Sequence, residues 1–473
     1  MGNRAMVSQK QIKWIVFLVS FAVCLFLSFR AFRFNPYGDF KYYLLTGDEP
    51  HYLLITQSLI FDKDFNLWNN VRNNDWRFFE HRPVDGHAPG FTYYNNLAKG
   101  RLESKEKFWQ DRRYSVHRIG LPLLISPAYF LGIRWKLGVR WAVILFLNLC
   151  IALLAVNIYA LSFELTNNKI VSLWVWAVLS FSGPALFYSN KIFPDLLAAL
   201  FIIFAYRKIR NLRRIDFVNP FIIGLCIAYL PWLHERFILT SFILFLFFVY
   251  SVKLSVKPII ISLIPIAISF ILQGAYYNLL FGVPFPVNVH PSFSLRNGGL
   301  LGLLFDRNLG LLFYSPVYII SLIGALGLLK ERPKEFFWLS LIFIPNYIIL
   351  GLFREWWGGL CPPVRYLLPF VPLLTLPISY ALLKIRNIGF KIMAVILGLA
   401  GIIIANYAMW FPGMLYRYSH PLSCHFNRII NIFPNFIERS PLTYQSAVIW
   451  IILVVFFTGY YGYAGFYKKM KNR

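Results

Sequence analysis

Long apolar stretches constrain this chain more than any other feature. Residues 391–411 (KIMAVILGLAGIIIANYAMWF) and 445–467 (QSAVIWIILVVFFTGYYGYAGFY) each run for the roughly 20 apolar residues that a helix needs to cross a bilayer core. Of the 473 residues, 14% are charged and 58% are hydrophobic, whereas soluble globular chains carry about 25% charged residues. We therefore expect an all-α, polytopic transmembrane helical protein.

The positive charge of the chain predicts its orientation in the membrane. A net charge of +27 could suggest nucleic acid, but nucleic-acid binders carry a basic stripe on a soluble surface. Here the basic residues lie in short loops between apolar stretches, the pattern typical of cytoplasmic loops that face anionic lipid. The segments placed in the cytoplasm are the N-terminus, 207–214, 253–257, 330–334, 384–391 and the C-terminal KKMKNR. We expect a membrane partner and no nucleic acid.

These basic anchors are consistent with about twelve crossings and place both termini in the cytoplasm. The predicted spans are 12–33, 141–163, 170–188, 192–206, 217–233, 236–252, 258–281, 311–329, 336–353, 365–383, 391–411 and 445–467. The apolar segment 119–133 is short and contains Pro122 and Pro127, so it is interpreted as re-entrant or interfacial.

The same topology divides the chain into alternating membrane and extracytoplasmic regions. They are the first span (1–33), a large first extracytoplasmic loop (34–140), a bundle (141–281), a second loop (282–310), a second bundle (311–411), a third loop (412–444) and the last span with its basic tail (445–473). Loops of this length are uncommon unless they are functional or disordered. Cys361 and Cys424 both fall outside the membrane, where they could pair or remain thiols. The sequence has no Asn-x-Ser/Thr site, which favours a bacterial inner membrane.

Acidic and basic residues collect at the predicted outer ends of the spans. A charge at membrane depth costs about 2.5–3.5 kcal/mol on insertion scales, so charges that persist there usually line a cavity or a site. The outer acidic residues are Asp48, Glu49, Asp195, Glu235, Asp306 and Glu355, and the arginines beside them are Arg236, Arg307, Arg354 and Arg365. This gathering on one side predicts a functional site there.

The first motif is GDEPHYLLITQSL, residues 47–59. Its spacing predicts an amphipathic helix with Tyr52, Ile55 and Leu59 on one stripe, lying on the membrane surface. Asp48 is a good helix N-cap, with Pro50 in the first turn. The alternative is that Asp48 acts as a general base that takes a proton from an acceptor hydroxyl.

Two further motifs, FPDLLA and LPWLHERF, contain Asp195 and the triplet of His234, Glu235 and Arg236. Asp195 follows a proline, so helix capping and catalysis are both open for it. His234 and Arg236 could bind a phosphate, or Arg236 could simply pair with Glu235.

The last two motifs are LFDRNLGLLFYSP (304–316) and REWWGGLCPPVRYLLPFVPLL (354–374). Trp356 and Trp357 are either interfacial belt residues or contacts to a sugar. Arg365 is predicted to open a long apolar helix, where its guanidinium could hold an anionic headgroup. Alternatively it extends to the interface without a specific ligand.

With these motifs, the chain resembles the GT-C superfamily of integral membrane glycosyltransferases, the group that contains protein O-mannosyltransferases and the lipid A aminoarabinose transferase. The similarity is to uncharacterised bacterial members, covers most of the chain, and rests on the order of GDEPHYLL, PWLHERF, FDRNLGLLFYSP and WWGG followed by RYLLP.

The resemblance implies transfer of a sugar from a polyprenyl-phosphate donor to a glycan, lipid or protein acceptor on the extracytoplasmic side. It implies Asp48 as the base, with Glu49 and Asp195 also catalytic. The residues implied in binding the lipid phosphate or donor are His234, Arg236, Arg365 and Tyr366; those implied in contacting sugar or acceptor are His51, Asp306, Glu355, Trp356 and Trp357.

The chain also departs from relatives of that superfamily. Its acidic motif is Asp-Glu rather than Asp-x-Asp, so we expect no catalytic metal and no cofactor, although a divalent ion is not excluded. The leading alternative is a transporter or flippase of a lipid-linked or anionic substrate. Transporters typically place their polar groups near the bilayer midplane, between discontinuous helices.

Overall fold

The described part of the chain is helical nearly throughout. The computed structural model describes residues 8–33, 47–80, 84, 114–212, 216–282, 284, 292–410, 432–437 and 441–467, and these residues contain no strand. The all-α prediction is therefore confirmed for the described residues. Most of the predicted third loop, including Cys424, lies outside them, and so does the proposed pairing of Cys424 with Cys361.

The helices follow one another in this order along the N-terminal part of the chain: α1 Gln9–Arg33, α2 Glu49–Gln57, α3 Trp68–Arg72, α4 Gly120–Arg134, α5 Val139–Thr166, α6 Lys169–Phe181, α7 Pro194–Arg210, α8 Val218–Leu233, α9 Ile238–Ser251 and α10 Val256–Phe281. The C-terminal part contains α11 Gly299–Phe305, α12 Leu311–Tyr314, α13 Ile319–Glu331, α14 Pro333–Leu352, α15 Thr375–Lys384, α16 Ile388–Trp410 and α17 Pro441–Gly462. Single turns of 3₁₀ or π helix connect several of them.

Six of these helices are long and apolar enough to cross a membrane: α1, α5, α10, α14, α16 and α17. They make the chain an integral membrane protein. The remaining predicted crossings coincide with shorter helices, such as α6 with 13 residues, α8 with 16 and α9 with 14. Twelve crossings therefore remain a prediction. The segment predicted as re-entrant or interfacial forms α4, with Pro127 inside it.

Prolines interrupt three of the predicted spans. The span over 311–329 is divided into α12, a 3₁₀ turn that begins at Pro316, and α13. The span over 365–383 consists of two 3₁₀ turns followed by α15, and Pro372 lies in the first turn of the second one. The span over 170–188 ends as a helix at Phe181, shortly before Pro184. A proline has no backbone N–H and blocks the helical turn before it, so a continuous helix is lost at each point.

The chain is arranged in two compact units. Unit 1 comprises Met1–Gly38, Asn148–Asn190 and Ser294–Arg473, and unit 2 comprises Asp39–Leu147 and Lys191–Phe293. In unit 2, α8 packs closely on α10: a Cβ added to Gly224 would lie 2.3 Å from the Ser262 carbonyl oxygen. Glycine there lets two helix backbones approach, as at other tight helix crossings in membranes.

Helix α2 is buried on every side within unit 2. All nine of its residues, including Glu49, His51 and Gln57, are buried. One neighbour is α4, whose Tyr129 hydroxyl donates to Gln57 Oε1 at 2.7 Å. The predicted amphipathic helix on the membrane surface is therefore not observed. Its polar side chains are enclosed by the protein, where a buried polar group needs a partner.

In unit 1, α13 and α15 make the tightest approach, at Gly324. A Cβ placed on Gly324 would lie 1.7 Å from the Pro377 carbonyl oxygen, so the two helices must separate if a side chain is added. We expect Gly324→Ala to destabilise unit 1 by about 1–3 kcal/mol, the usual cost of overpacking. A thermal unfolding curve of the purified protein in lipid nanodiscs measures this effect.

The matched control is Gly459→Ala in α17, where an added Cβ would meet nothing within 4 Å among the described atoms. Alanine is favoured over glycine inside a helix by about 0.5–1 kcal/mol, so this variant should unfold at or above the wild-type temperature. Equal unfolding temperatures for Gly324→Ala and wild type would contradict the packing of α13 on α15.

Candidate functional site

Glu49, the first residue of α2, is held from two sides. It is fully buried, and its Oε2 accepts a hydrogen bond from the Ile192 N–H at 2.9 Å. Its Oε1 lies 3.8 Å from Nζ of Lys191, which is also buried. Both partners lie in the segment just before α7. The ion pair thus ties the start of α2 to the start of α7 within unit 2.

Asp48 precedes Glu49 and is half-buried. It occupies the N-cap position of α2 with helical dihedral angles (φ −80°, ψ −12°) rather than the extended ones of a capping residue. Its carboxylate makes no capping hydrogen bond to the helix, all of whose residues the structure describes. Capping therefore does not account for an acidic residue at this position.

Asp195 is the second residue of α7 and is fully buried. Its Oδ1 accepts a short hydrogen bond from the Arg236 guanidinium, which reaches it from the 3₁₀ turn between α8 and α9. The Arg236 side chain is 12% exposed. Two residues predicted from separate motifs, more than forty positions apart, are thereby brought together.

Glu235 pairs with Arg118, a residue that the sequence analysis did not single out. Arg118 Nε donates to Glu235 Oε2 at 2.7 Å, and His234 Nδ1 lies 3.2 Å from the same oxygen. Burial alone would raise the pKa of Glu235, but the charges of His234 and Arg118, with the Arg118 hydrogen bond, lower it to about 2. Glu235 and Arg236 each pair with a residue outside their own motif.

Ring contacts connect His117 to α2 and its neighbour Arg118 to α10. The His117 ring stacks on the His51 ring with centroids 5.5 Å apart, and lies 5.0 Å from the Tyr52 ring. The Arg118 guanidinium lies 5.1 Å from the ring centroid of Tyr277 on α10, within the range of a cation–π interaction.

These contacts form a closed circuit, which we call the α2 cluster. Glu49 contacts Lys191 and Ile192, and the chain leads from these residues to Asp195. Asp195 pairs with Arg236, whose neighbour Glu235 pairs with Arg118. His117, next to Arg118, stacks on His51 of α2 and closes the circuit. The members of the α2 cluster are Asp48, Glu49, His51, His117, Arg118, Lys191, Asp195, His234, Glu235 and Arg236. All lie in unit 2. Its acidic and basic groups alternate, so each buried charge has an opposite neighbour.

Lys191 and Arg118 were missed by sequence reasoning, although a signal for each was present. Lys191 lies four residues before Asp195 and directly before the apolar residues Ile192 and Phe193. Arg118 lies two residues before the start of the apolar α4. The rule that charges beside apolar helices tend to mark a site applies to both as much as to Asp195. Their partners depend on tertiary packing, which the spacing of the motifs does not give.

In unit 1, Arg365 is buried in a 3₁₀ turn instead of opening a long helix. Its Nη1 donates to the Gly358 carbonyl at 3.0 Å, and its guanidinium lies 5.8 Å from the Tyr366 ring. Trp356 is fully buried against Gly299 and Gly302, so its ring packs in the protein interior rather than in an interfacial belt. Trp357 is half-buried, and Glu355 is exposed. Roles for these residues in binding donor or sugar remain predictions.

Asp306 organises the loop between α11 and α12. It is fully buried, its Oδ1 accepts the N–H groups of Asn308 and Leu309 at 2.8 and 3.0 Å, and its Oδ2 accepts that of Phe436 at 2.7 Å. Burial raises the pKa of Asp306 to about 6, against these three hydrogen bonds and the Arg307 charge. The contacts favour a structural role over the predicted contact with a sugar or acceptor.

Among the described residues, no group of three or more His, Cys, Asp or Glu side chains is suited to holding a metal ion. No protein-family model matches the sequence, and no curated protein matches it significantly. Functional inference therefore rests on the geometry of the cluster.

A substitution at Asp306 tests its structural role. Asp306→Ala removes the acceptor of three backbone N–H groups, and each buried donor left unsatisfied costs about 1–3 kcal/mol. We expect this variant to yield little folded protein, as judged by size-exclusion chromatography and thermal unfolding. The control, Glu355→Ala, changes an exposed acidic residue of the same unit and should alter stability by less than about 0.5 kcal/mol. Normal folding of Asp306→Ala would return Asp306 to the set of candidate ligand contacts.

Proposed function

We propose that the protein is a membrane glycosyltransferase that moves a sugar from a polyprenyl-phosphate donor to an acceptor hydroxyl on the extracytoplasmic side. One observation carries the proposal: three motifs distant in sequence, those of Asp48, Asp195 and Arg236, meet in one cluster. Within that cluster Asp48 is a partly exposed residue, and its carboxylate does not cap its helix. A partly exposed carboxylate beside fixed, buried charges is suited to proton transfer.

Asp48 acts as the general base in the proposed reaction. The acceptor hydroxyl gives its proton to the Asp48 carboxylate while its oxygen forms a bond to the anomeric carbon of the donor sugar. The bond from that carbon to the phosphate oxygen breaks, and its electron pair leaves with the polyprenyl phosphate. A carboxylate placed in this way usually contributes a factor of about 10²–10⁴ to the rate.

The phosphate gains negative charge as it leaves, and Arg236 is the cation proposed to stabilise it. Its guanidinium is held by the buried Asp195, and the Arg236 side chain keeps some exposure, which suits a fixed donor that needs no reorganisation during the reaction. His234 lies next to it, with its Nδ1 3.3 Å from the Arg236 backbone nitrogen. Arg365, with Tyr366, remains a second candidate for the lipid phosphate, in unit 1.

The position of the charges along the helices argues against the transporter alternative. Glu49 and Asp195 lie in the first turns of α2 and α7, Arg236 lies between α8 and α9, and Arg118 precedes α4. A transport site is expected near the middle of the bilayer, at breaks within helices. Groups at helix ends instead suit chemistry at the membrane surface, where a lipid-linked sugar and its acceptor can meet.

The first test compares wild type with Asp48→Asn, which keeps the shape of the side chain but removes the base. With a panel of polyprenyl-phosphate sugars and membrane extract as acceptor source, wild type should release free polyprenyl phosphate. Asp48→Asn should lower this release by at least about 10²-fold. The matched control is Asp64→Asn, an exposed aspartate in the same loop region, which should retain wild-type turnover. Equal turnover in Asp48→Asn would remove Asp48 as the base, and no turnover with any donor would favour transport or lipid binding.

A second test separates binding of the phosphate from folding. Replacing Arg236 alone would remove the cation that lies against the buried Asp195 carboxylate, so both are changed together in Asp195→Asn/Arg236→Gln. This variant should fold, as shown by thermal unfolding, but lose donor turnover by about 10²–10³-fold, the usual effect of removing a donor to a developing negative charge. Folded protein with unchanged turnover would show that the pair has a structural role only.

A further inference from the structure

Lys191 and Ile192 hold one carboxylate between them. The Ile192 N–H donates to one oxygen of Glu49 at 2.9 Å, while the Lys191 ammonium lies 3.8 Å from the other. Glu49 and Lys191 are both buried, so water does not screen their interaction as it would at a surface. Removing one member of such a pair strands the other charge in the interior.

This pair controls the turn that carries Asp48. Glu49 is the first residue of α2 and follows Asp48 directly, and the N–H groups of His51 and Tyr52 both reach back to the Asp48 carbonyl at 3.2 Å. Fixing the Glu49 side chain against the Lys191–Ile192 segment therefore fixes the backbone from which the Asp48 carboxylate projects. A proton-transfer group must be held within hydrogen-bond reach of its partner, so this orientation matters for the proposed reaction.

From this geometry we infer that Lys191 is a positioning residue: its ammonium anchors Glu49 and so holds Asp48 in place, and the loss of its charge limits the site at alkaline pH. The inference rests on the proposed function in one respect, because it takes Asp48 to be the base.

The charge of Lys191 is lost within an accessible pH range. Burial lowers the pKa of Lys191 from its ordinary 10.5 to about 8; the charge of Glu49 opposes this shift, and that of Arg140, at the start of α5, adds to it. Because the pKa in the folded protein lies below the ordinary one, the folded protein gives up this proton first as the pH rises. Above about pH 8 Glu49 thus loses the positive charge of Lys191 beside it.

Hydrogen–deuterium exchange tests the positioning without relying on turnover. Purified protein in nanodiscs is compared with Lys191→Met, Lys191→Arg and Lys191→Met/Glu49→Gln, following the peptide that spans residues 47–57. At pH 7, Lys191→Met should exchange at least about tenfold faster there, because the buried Glu49 carboxylate loses the ammonium beside it. Lys191→Arg keeps the charge, and the double variant removes both charges, so each should exchange within about threefold of wild type.

The same four proteins are then assayed for donor turnover against pH. Wild-type turnover should fall as the pH rises through about 8. A guanidinium stays charged throughout this range, so in Lys191→Arg the fall should move to higher pH. In the double variant, which has no charge to lose at this position, the alkaline fall should disappear. If Lys191 had only a structural role, its replacement would change the amount of folded protein but not the pH at which turnover falls on the alkaline side.

The outcomes separate the two proposals. The positioning role is wrong if exchange over 47–57 is unchanged in Lys191→Met, or if turnover falls at the same alkaline pH in Lys191→Arg and in wild type. The glycosyltransferase proposal stands in both cases. A second outcome is that none of the four proteins turns over any donor, while residues 47–57 exchange faster in Lys191→Met and at the wild-type rate in the double variant. The anchoring of α2 by Lys191 is then correct. In that case the assignment of Asp48 as a glycosyltransferase base is wrong.

Discussion

The ion pairs at the ends of helices in unit 2 are the interactions on which the α2 cluster depends. The interior of so apolar a chain contains little water to solvate a charge. Each buried carboxylate therefore requires a cation and hydrogen bonds. Glu49 obtains them from Lys191 and Ile192, and Asp195 obtains them from Arg236. Each pair joins segments that are distant in sequence, so satisfying the charges also assembles the site.

This requirement explains which parts of the structure could be predicted. The apolar stretches predicted the position of every long helix. The energetic cost of a charge near a membrane identified Asp195 and Arg236 as candidate functional residues. Pairing partners could not be predicted, because Arg118 reaches Glu235 through packing between segments more than a hundred residues apart. The burial of α2 was missed for the same reason: its sequence pattern has an apolar stripe, but its polar face is covered by neighbours such as α4.

The charged side chains of the α2 cluster differ in their exposure to solvent, and this difference indicates different roles for them. Glu49 and Asp195 are fully buried and engaged, which suits them to fixing other groups. Asp48 and Arg236 keep partial exposure, which suits them to meeting an acceptor hydroxyl and a phosphate. Asp306 shows the opposite case, since both of its oxygens are occupied by backbone N–H groups of its own unit. Acidic residues that look equivalent in the sequence therefore separate into partly exposed and fully engaged ones only once their contacts are known.

The most direct measurement of the central claim is a cryo-EM structure of the protein in nanodiscs with a polyprenyl-phosphonate sugar, in which a carbon replaces the scissile oxygen. The account predicts phosphonate density within hydrogen-bond reach of the Arg236 guanidinium and the sugar's anomeric carbon facing the Asp48 carboxylate. Density for this ligand away from unit 2, or among the middle turns of the long helices, would contradict it.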